Sequence, residues 1–382
     1  MKESVLIQKN KSIKLKFSFL KKDMVFTISL ILAATSSLIY PPKLEYINFQ
    51  VLFILFSLML TIKALEELRF LDKLAIAIIN KCNNSRSVSA ILILLCFFTS
   101  MFVTNDVALL TFVPLTLVSS RKTKIPMMET IILQTIAANI GSSLTPMGNP
   151  QNLFIYSHYG IKPLPFFSTV LFMAVLGICS IYILIKRMQN RDLKVVFTPI
   201  LLDDWKKPAV WGLILAIIIA SIFGMVSYQV AFVVTFISVI ILNVKLLIKI
   251  DYLLLFTFIC FFIFIGNISN SNTLQAFASA NLKGTTSVYF SSIFLSQFIS
   301  NVPASILLAE FTTDWKPLLL GVNIGGLGTI VASLASVISY KLYIQANPTE
   351  SKKYLIKFSL YNFSFLAFLG LIQYFIIKLF LK

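Results

Sequence analysis

Two short polar sequences each occur twice in this chain, and every copy lies inside an otherwise apolar stretch. The first reads SMFVTND from Ser100 and SQFISNV from Ser296, and the second reads NIGSSLT from Asn139 and NIGGLGT from Asn323. Their amide and hydroxyl groups can coordinate a small cation or hydrogen-bond an anion. In a bilayer such groups are costly unless protein or water surrounds them. Paired breaks in two halves are typical of secondary transporters.

The elements that position these motifs must be membrane helices, because the composition is that of an integral membrane protein. Of the 382 residues, 58% are hydrophobic and 13% are charged. Apolar runs approach the roughly 20 residues that a helix needs to cross a bilayer. We therefore predict an all-α polytopic protein and exclude a soluble globular one. The predicted spans are approximately 24–40, 47–64, 127–157, 165–185, 209–226, 229–244, 252–267, 318–340 and 358–378.

The net charge of +18 could indicate a nucleic-acid partner, but its distribution indicates membrane orientation instead. With the amino terminus in the cytoplasm, most lysines and arginines fall in cytoplasmic segments, as the positive-inside rule requires. We expect a multi-pass protein of the plasma membrane. Its basic residues should attract anionic lipid, and no nucleic-acid partner is expected. The basic start and the apolar run from Met24 resemble a signal peptide, but without a convincing cleavage site we expect a retained first span.

Residues 87–119 and 286–312 are each too long for one crossing and are interrupted by polar residues. Arg86 and Arg121 flank the first segment, which places both of its ends on the cytoplasmic side. We therefore predict two re-entrant hairpins, the second one opening to the outside. Thr, Asn, Asp and Ser at the tips are good N-caps, so their side-chain oxygens should cap the returning helices. Pro303 suits a first helical turn.

The order of motifs predicts two membrane repeats of opposite orientation. A linking span adds a fifth crossing between them, so the second repeat enters the membrane inverted. The predicted divisions are a cytoplasmic basic tail at 1–23, a first repeat at 24–187, a connecting loop and linking span at 188–227, and a second repeat at 228–382.

We expect the two tips and the two unwound segments to meet near the middle of the membrane. Half-helix N-termini suit an anion, whereas half-helix C-termini and unwound carbonyls suit Na+. No cofactor is expected beyond a coupling Na+ or H+, with Na+ at Asn105 and Asn301. The predicted binding residues are Thr104, Asn105, Asp106, Asn139, Gly141, Ser142, Ser143, Thr145, Pro146, Gly148, Asn149, Ser300, Asn301, Val302, Pro303, Asn323, Gly325, Gly326, Gly328 and Thr329.

Several of these residues also have a purely structural interpretation. Asp106 could ligate a cation or carry a proton, but an acidic residue is also favoured in any first helical turn. Ser142, Ser143 and Ser333 could bind solute, or could simply let helices pack closely. The glycines after Asn323 do not form a nucleotide loop, because no strand precedes them and the full pattern is absent.

Catalysis is not indicated, because the sequence has no paired histidine and carboxylate and no nucleophile with a base. The four cysteines lack metal-ligand spacing, and the single histidine, His158, excludes a histidine-rich metal centre. The predicted function is secondary active transport of a small anionic solute, coupled to Na+ or H+. Cation/proton exchange or arsenite-type efflux through Asp106 is the alternative. A passive anion channel built on the same broken helices is more remote.

These motifs resemble the ion transporter superfamily, which includes divalent-anion/sodium symporters, citrate-transporter-like permeases, arsenite permeases and some sodium/proton antiporters. The resemblance is carried by TNDVALLTFVPL from Thr104, NIGSSLTPMGNPQN from Asn139, SNVPASILL from Ser300 and GVNIGGLGT from Gly321. It implies inverted repeats, re-entrant hairpins, a homodimer and elevator-like movement. Carboxylate symporters favour Ser-Asn-Thr at both tips, so these tips are closer to the arsenite and sodium/proton branches. An inorganic oxyanion and a carboxylate both remain candidate solutes.

Overall fold

Helices form nearly all the regular structure in the computed structural model, which describes residues 24–192, 198–200, 205–282 and 284–380. Within these ranges no strand is formed beyond an isolated bridge between Asn84 and Asp192. The prediction of an all-α protein is therefore confirmed. The predicted basic tail, 1–23, lies outside the described residues.

The same order of helices occurs twice, on either side of a linking helix. The first series is α1 (Met24–Ser37), α2 (Phe49–Glu67), α3 (Phe70–Ile79), α4 (Ser85–Val103), α5 (Asn105–Thr123), α6 (Met128–Ser142), α7 (Pro150–His158) and α8 (Pro163–Arg187). The linking helix is α9 (Lys206–Ile222). The second series is α10 (Tyr228–Asn243), α11 (Tyr252–Ile268), α12 (Asn272–Asn281), α13 (Thr285–Ile299), α14 (Asn301–Ala309), α15 (Trp315–Gly325), α16 (Leu334–Ala346) and α17 (Ser351–Phe380).

Several of these helices have the length and the apolar surface of membrane spans. Five helical segments of the described chain meet both criteria, and they include α2, α4, α8, α10 and α17. Helix α10 buries Ala231, Thr235 and Val239 at four-residue spacing. It leaves Ile237 and Ile241 on its opposite, exposed face. A helix that is apolar on both faces has one face against protein and the other against lipid. The protein is therefore a multi-pass membrane protein.

The helices pack in two groups. The outer group consists of α1, α2, α9, α10 and α11: α2 packs against α9 and α10, and α1 packs against α11. Aromatic contacts reinforce this group, with the centroids of the tilted rings of Phe53 and Phe232 4.6 Å apart. The central group consists of α4–α8 and α13–α17, in which α4 packs on α6, α13 on α15 and α16 on α5. The two groups meet where α2 contacts α7 and where α11 contacts α14.

The two polar motifs of the first type form sharp turns within helix pairs. Thr104 separates α4 from α5 with φ 76° and ψ 152°, and Ser300 separates α13 from α14 with φ 72° and ψ 155°. This left-handed extended conformation is strained for a residue with a side chain. The expected side-chain capping is wrong at both positions, because neither hydroxyl caps the helix that follows. Instead, the Asn105 Oδ1 accepts the Asp106 backbone N–H at 3.0 Å.

The two motifs of the second type are the predicted breaks within helices. Helix α6 ends at Ser142, and α7 begins at Pro150 with Asn149 as its N-cap. The Asn149 Oδ1 accepts the Asn152 N–H at 3.0 Å, so the predicted cap and first-turn proline are confirmed. The second break carries Gly328, whose φ of 108° suits glycine, and a 3-10 turn at Ile330–Ala332.

Candidate functional site

A cavity of about 120 Å³ lies where the two tips and the two breaks come together. Both tips line it, the first through Asn105 and Asp106 and the second through the segment 300–303. The remaining wall residues include Pro150, Gln151, Asp251, Ser333 and Leu334. The cavity is about ten times larger than the minimum that holds one water molecule. Solvent and a small solute can therefore enter it.

Five helices begin at this cavity, because its lining residues lie at the start of α5, α7, α11, α14 and α16. The first-turn N–H groups of a helix have no partner within the helix and carry a partial positive charge. Their convergence gives the cavity a positive backbone potential, which the side-chain oxygens of Asn105, Asn149 and Asp251 reduce by accepting some of these N–H groups. No lysine or arginine is among the described residues that line it.

Two carboxylates oppose this positive backbone potential. The Asp106 Oδ1 is buried without a hydrogen-bond partner. Asp251 caps α11, where its Oδ1 accepts the N–H groups of Leu253 at 3.0 Å and Leu254 at 3.4 Å. A buried carboxylate oxygen without a donor is costly, and a proton or a small cation would satisfy it. The site can therefore accommodate positive and negative charge side by side.

A second cavity of about 290 Å³ continues from the first one. Asp106, Pro150 and Asp251 line both cavities, and Thr104 joins them in the second. Its outer rim carries Lys63, Glu66 and Lys249, with the Lys63 Nζ 2.9 Å from Glu66. This rim lies at the end of α2 and just before α11, where Lys249 pairs with Glu67. The second cavity therefore forms an approach from that face of the protein to the two tips.

A chain of side-chain hydrogen bonds joins the first tip to both breaks. The Asn105 Nδ2 donates to the Asn139 Oδ1 at 3.0 Å, and the Ser333 Oγ donates to the same oxygen at 3.0 Å. The Asn139 Nδ2 reaches the Gly326 carbonyl at 3.5 Å. Gly326 in turn lies close to Asn301, because a Cβ added at Gly326 would be 2.7 Å from the Asn301 Nδ2. The hydrogen bonds therefore run from the first tip to the second break, and the second break packs against Asn301 of the second tip.

A second chain of amides joins the two breaks directly. The Asn149 Nδ2 donates to the Asn323 Oδ1 at 3.3 Å, and the Asn323 Nδ2 donates to the Asn152 Oδ1 at 2.7 Å. The Asn152 Nδ2 donates to carbonyls of the unwound segment, including that of Ser142 at 3.2 Å. Because buried polar groups require partners, these amides replace the backbone bonds that the helix breaks remove.

The predicted site residues thus separate into two sets. The cavity itself is lined by Asn105, Asp106, Ser300, Asn301, Val302 and Pro303, and the continuing cavity by Thr104. The others are placed behind the cavity wall. They are Asn139, Gly141, Ser142, Ser143, Thr145, Pro146, Gly148, Asn149, Asn323, Gly325, Gly326, Gly328 and Thr329. The hydroxyls of Ser142 and Ser143 donate to carbonyls of α6, so both are engaged locally.

Several residues at the site were not in the predicted set, and Asp251, Gln151 and Gln297 are three of them. Asp251 and Gln151 line the cavity. Gln297 braces the second break, where its Nε2 donates to the Gly325 carbonyl at 2.7 Å and its Oε1 accepts the Thr329 N–H at 2.9 Å. Each had a sequence signal: Gln297 lies within SQFISNV, Gln151 lies within NIGSSLTPMGNPQN, and Asp251 immediately precedes an apolar run.

Broken apolar helices around a small internal cavity that contains a few polar groups are typical of membrane transporters, and comparison with known proteins agrees. The family model "Citrate transporter" matches residues 6–338. The chain therefore belongs to the citrate transporter family, which indicates transport and not catalysis.

Relatives of the chain are transporters or membrane proteins. An uncharacterized transporter of Methanocaldococcus jannaschii is 33% identical over 317 residues, which cover 82% of this chain and 86% of the relative. Inner membrane protein YbiR of Escherichia coli is 27% identical over 336 residues, covering 86% and 87%. A Dictyostelium discoideum protein provisionally assigned as the transporter arsB is 28% identical over 151 residues, covering 39% and 26%.

Proposed function

We propose that the protein is a secondary active transporter of a small anion, either an inorganic oxyanion or a carboxylate, coupled to H+ or Na+. The observation that carries this proposal is the cavity in which five helix N-termini meet two carboxylates. Helix N-termini bind anions through their free N–H groups. An anion entering alone would be repelled by Asp106 and Asp251, so a proton or cation must accompany it or already occupy the site.

In this mechanism the first tip has the coupling role. Asp106 takes the proton or cation, because its buried Oδ1 has no other partner. Asn105 and Asn301, each 5% exposed, contact the solute from opposite sides through their amides. Asn139, Asn149, Asn152 and Asn323 hold these groups in position and do not touch the solute.

The alternative is cation/proton exchange, or arsenite-type efflux, in which Asp106 binds the transported species itself. The observation that favours it is the absence of any lysine or arginine among the described residues lining the cavity. In this alternative Asp106 is the group that receives the transported cation, proton or arsenite.

We also propose that the α4–α5 and α13–α14 pairs are re-entrant hairpins of two inverted repeats, 24–187 and 228–382, joined through 188–227. The matching backbone conformations of Thr104 and Ser300 support the repeat. Basic residues at both ends of α4–α5 support a pair that enters and leaves at one face. By the same rule the amino terminus and the rim at Lys63 and Lys249 face the cytoplasm. The membrane in this proposal is the plasma membrane.

Movement in this proposal is elevator-like, with the central group sliding against the outer group. The packing of the helices supports this movement, because the tips belong to the central group and Asp251 belongs to the outer group. Sliding would part Asp106 from Asp251 and close the approach from the Lys63 rim. The outer group would then form the homodimer interface.

The experiment is uptake into proteoliposomes that contain the purified protein. Phosphate, arsenite, sulfate and carboxylate solutes are offered one at a time, with Na+ and pH gradients imposed separately. The proposal predicts accumulation of an anion against its gradient under one of the two cation gradients, and its loss in Asp106→Asn. Glu310→Gln is a matched control, because Glu310 lies at the end of α14 and outside both cavities.

The possible results separate the candidate functions. Cation uptake that collapses a pH gradient without any anion would select the exchange alternative. Equilibration without accumulation would indicate a passive channel and overturn coupled transport. Undiminished accumulation in Asp106→Asn would overturn the role of the first tip.

A further inference from the structure

An apolar groove of about 600 Å³ separates the central-group helix α4 from the outer-group helix α9. Phe98 and Phe102 of α4 line one wall and Gly212 of α9 lines the other. The groove ends beside Val103, the residue before the first tip. It therefore lies at the boundary between the two helix groups, next to the transport site but separate from it.

The mouth of the groove has a cationic and aromatic border. Trp205, at the start of α9, lines the groove, and the Lys73 Nζ lies 4.1 Å from the centroid of its ring. Lys206 and Lys207 follow in the first turn of α9. Asp203 and Asp204 precede Trp205 in the sequence, outside the described residues. Tryptophan and lysine together are typical of the headgroup level of a bilayer, where lysine attracts anionic lipid.

The length of the groove fits one acyl chain. Its α9 wall runs from Trp205 to Leu215, about 15 Å at the helical rise of 1.5 Å per residue. This is about half of the roughly 30 Å hydrocarbon thickness of a bilayer, or one leaflet. We propose that the groove binds an anionic phospholipid, with one acyl chain between α4 and α9 and the phosphate headgroup at Lys73 and Lys207.

Gly212 makes this proposal testable without disturbing the fold. A Cβ built at Gly212 meets no atom within 4 Å, so the space beside it is open. Leucine in its place would fill the groove and also favour the helix, because glycine is a poor helix former. Leu213 is the matched control, since it is 65% exposed on the same turn and does not line the groove.

The measurement is quenching of Trp205 fluorescence by brominated lipid. Trp211 and Trp315 are first replaced by phenylalanine, and the full chain is placed in vesicles with equal fractions of brominated phosphatidylglycerol or phosphatidylcholine. The proposal predicts at least twofold stronger quenching by phosphatidylglycerol. Gly212→Leu should reduce that quenching at least by half, and Leu213→Phe should leave it unchanged. Equal quenching by the two lipids, or an unchanged Gly212→Leu, would overturn the proposal.

The headgroup position has its own variant. Lys73→Gln should remove the preference for phosphatidylglycerol, whereas Lys81→Gln, an exposed lysine just beyond the end of α3, should keep it. A preference that survives in Lys73→Gln would show that the lipid phosphate lies elsewhere. The quenching measurement requires no transport, so a negative result leaves the proposed transport function untouched. Likewise, a failed transport assay leaves the lipid proposal untouched.

Discussion

The two tips have nearly the same backbone but different chemistry. Thr104 and Ser300 agree within a few degrees in both dihedral angles, and the asparagine that follows each is equally buried. The next position is Asp106 in the first tip and Val302 in the second. The comparison teaches that the turn itself is duplicated while the charge is not. In the proposed mechanism, solute contacts are shared by the two halves, whereas charge coupling belongs to the first half.

The supports of the two tips also differ. At the first tip the Asn105 side chain donates to the Asn139 side chain, and the Asn105 backbone N–H donates to the Gly148 carbonyl at 3.2 Å. At the second tip no amide pair corresponds to Asn105 and Asn139 among the described hydrogen bonds; instead the Ser300 hydroxyl donates to the Ala332 carbonyl at 3.3 Å, and Gln297 braces the neighbouring break. Matching substitutions in the two halves should therefore have unequal effects, and four such comparisons follow.

The largest difference is expected at the charged position. Asp106→Asn should reduce gradient-driven uptake about a hundredfold, as the loss of about 3 kcal/mol from a charged interaction would. Val302→Asn, the same residue at the other tip, should reduce uptake only severalfold. Initial rates in proteoliposomes measure both. Equal losses at the two tips would refute an asymmetric charge.

Moving the charge sharpens this test. A double variant, Asp106→Val with Val302→Asp, exchanges the side chains of the two tips on the same backbone turn. We expect no restoration of uptake, because Asp106 shares both cavities with Asp251, whereas Val302 lines only the first of the two. Restored uptake would mean that the position of the carboxylate does not matter.

The second comparison concerns the glycines of the two breaks. A Cβ at Gly141 would lie 2.1 Å from the Phe97 backbone oxygen, whereas at Gly325 it would lie 2.7 Å from the Ser296 side chain. Backbone yields less readily than a side chain. Gly141→Ala should therefore destabilise the protein by about 2 kcal/mol more than Gly325→Ala. Thermal unfolding of both variants in detergent checks this, and the opposite order would contradict the packing described.

The third comparison removes the amide at each tip. Asn105→Ala leaves the side-chain Oδ1 of Asn139 with Ser333 as its one remaining side-chain donor. The substitution should therefore lower the free energy of unfolding by about 1 kcal/mol. Asn301→Ala should change it by less, since its oxygen accepts only a long bond from the Ser300 hydroxyl, 3.5 Å. Both should depress uptake. An Asn105→Ala protein as stable as the native one would weaken the linking role of Asn139.

The smallest effect is expected from relieving backbone strain. Thr104→Gly should stabilise the protein by about 0.5 kcal/mol, because glycine tolerates positive φ at some cost in chain entropy. Ser300→Gly should gain less, since it also loses the hydrogen bond to Ala332. Unfolding midpoints of the two variants give the comparison. A destabilised Thr104→Gly would show that its methyl or hydroxyl group contributes more than the strain costs.

Much of this arrangement could be read from the sequence, because local chemistry determines it. Asn149 followed by Pro150 marks a helix start, and polar residues between apolar runs mark the turns at Thr104 and Ser300. The positive φ at those turns could not be predicted, since no glycine signals it. Asp251 was missed because its place at the cavity depends on how α11 packs between the two groups. Which asparagines touch solute and which support them depends on contacts between distant segments, so sequence patterns cannot separate them.

The bonds between the breaks have a consequence for biosynthesis. Asn149 and its acceptor Asn323 are 174 positions apart, which takes a ribosome roughly 10 to 35 seconds to synthesise. Throughout that interval Asn149 lacks its acceptor Asn323, and Asn139 lacks the Gly326 carbonyl. Water or an insertion factor must shield them meanwhile, so the polar centre can close only after the later half has entered the membrane.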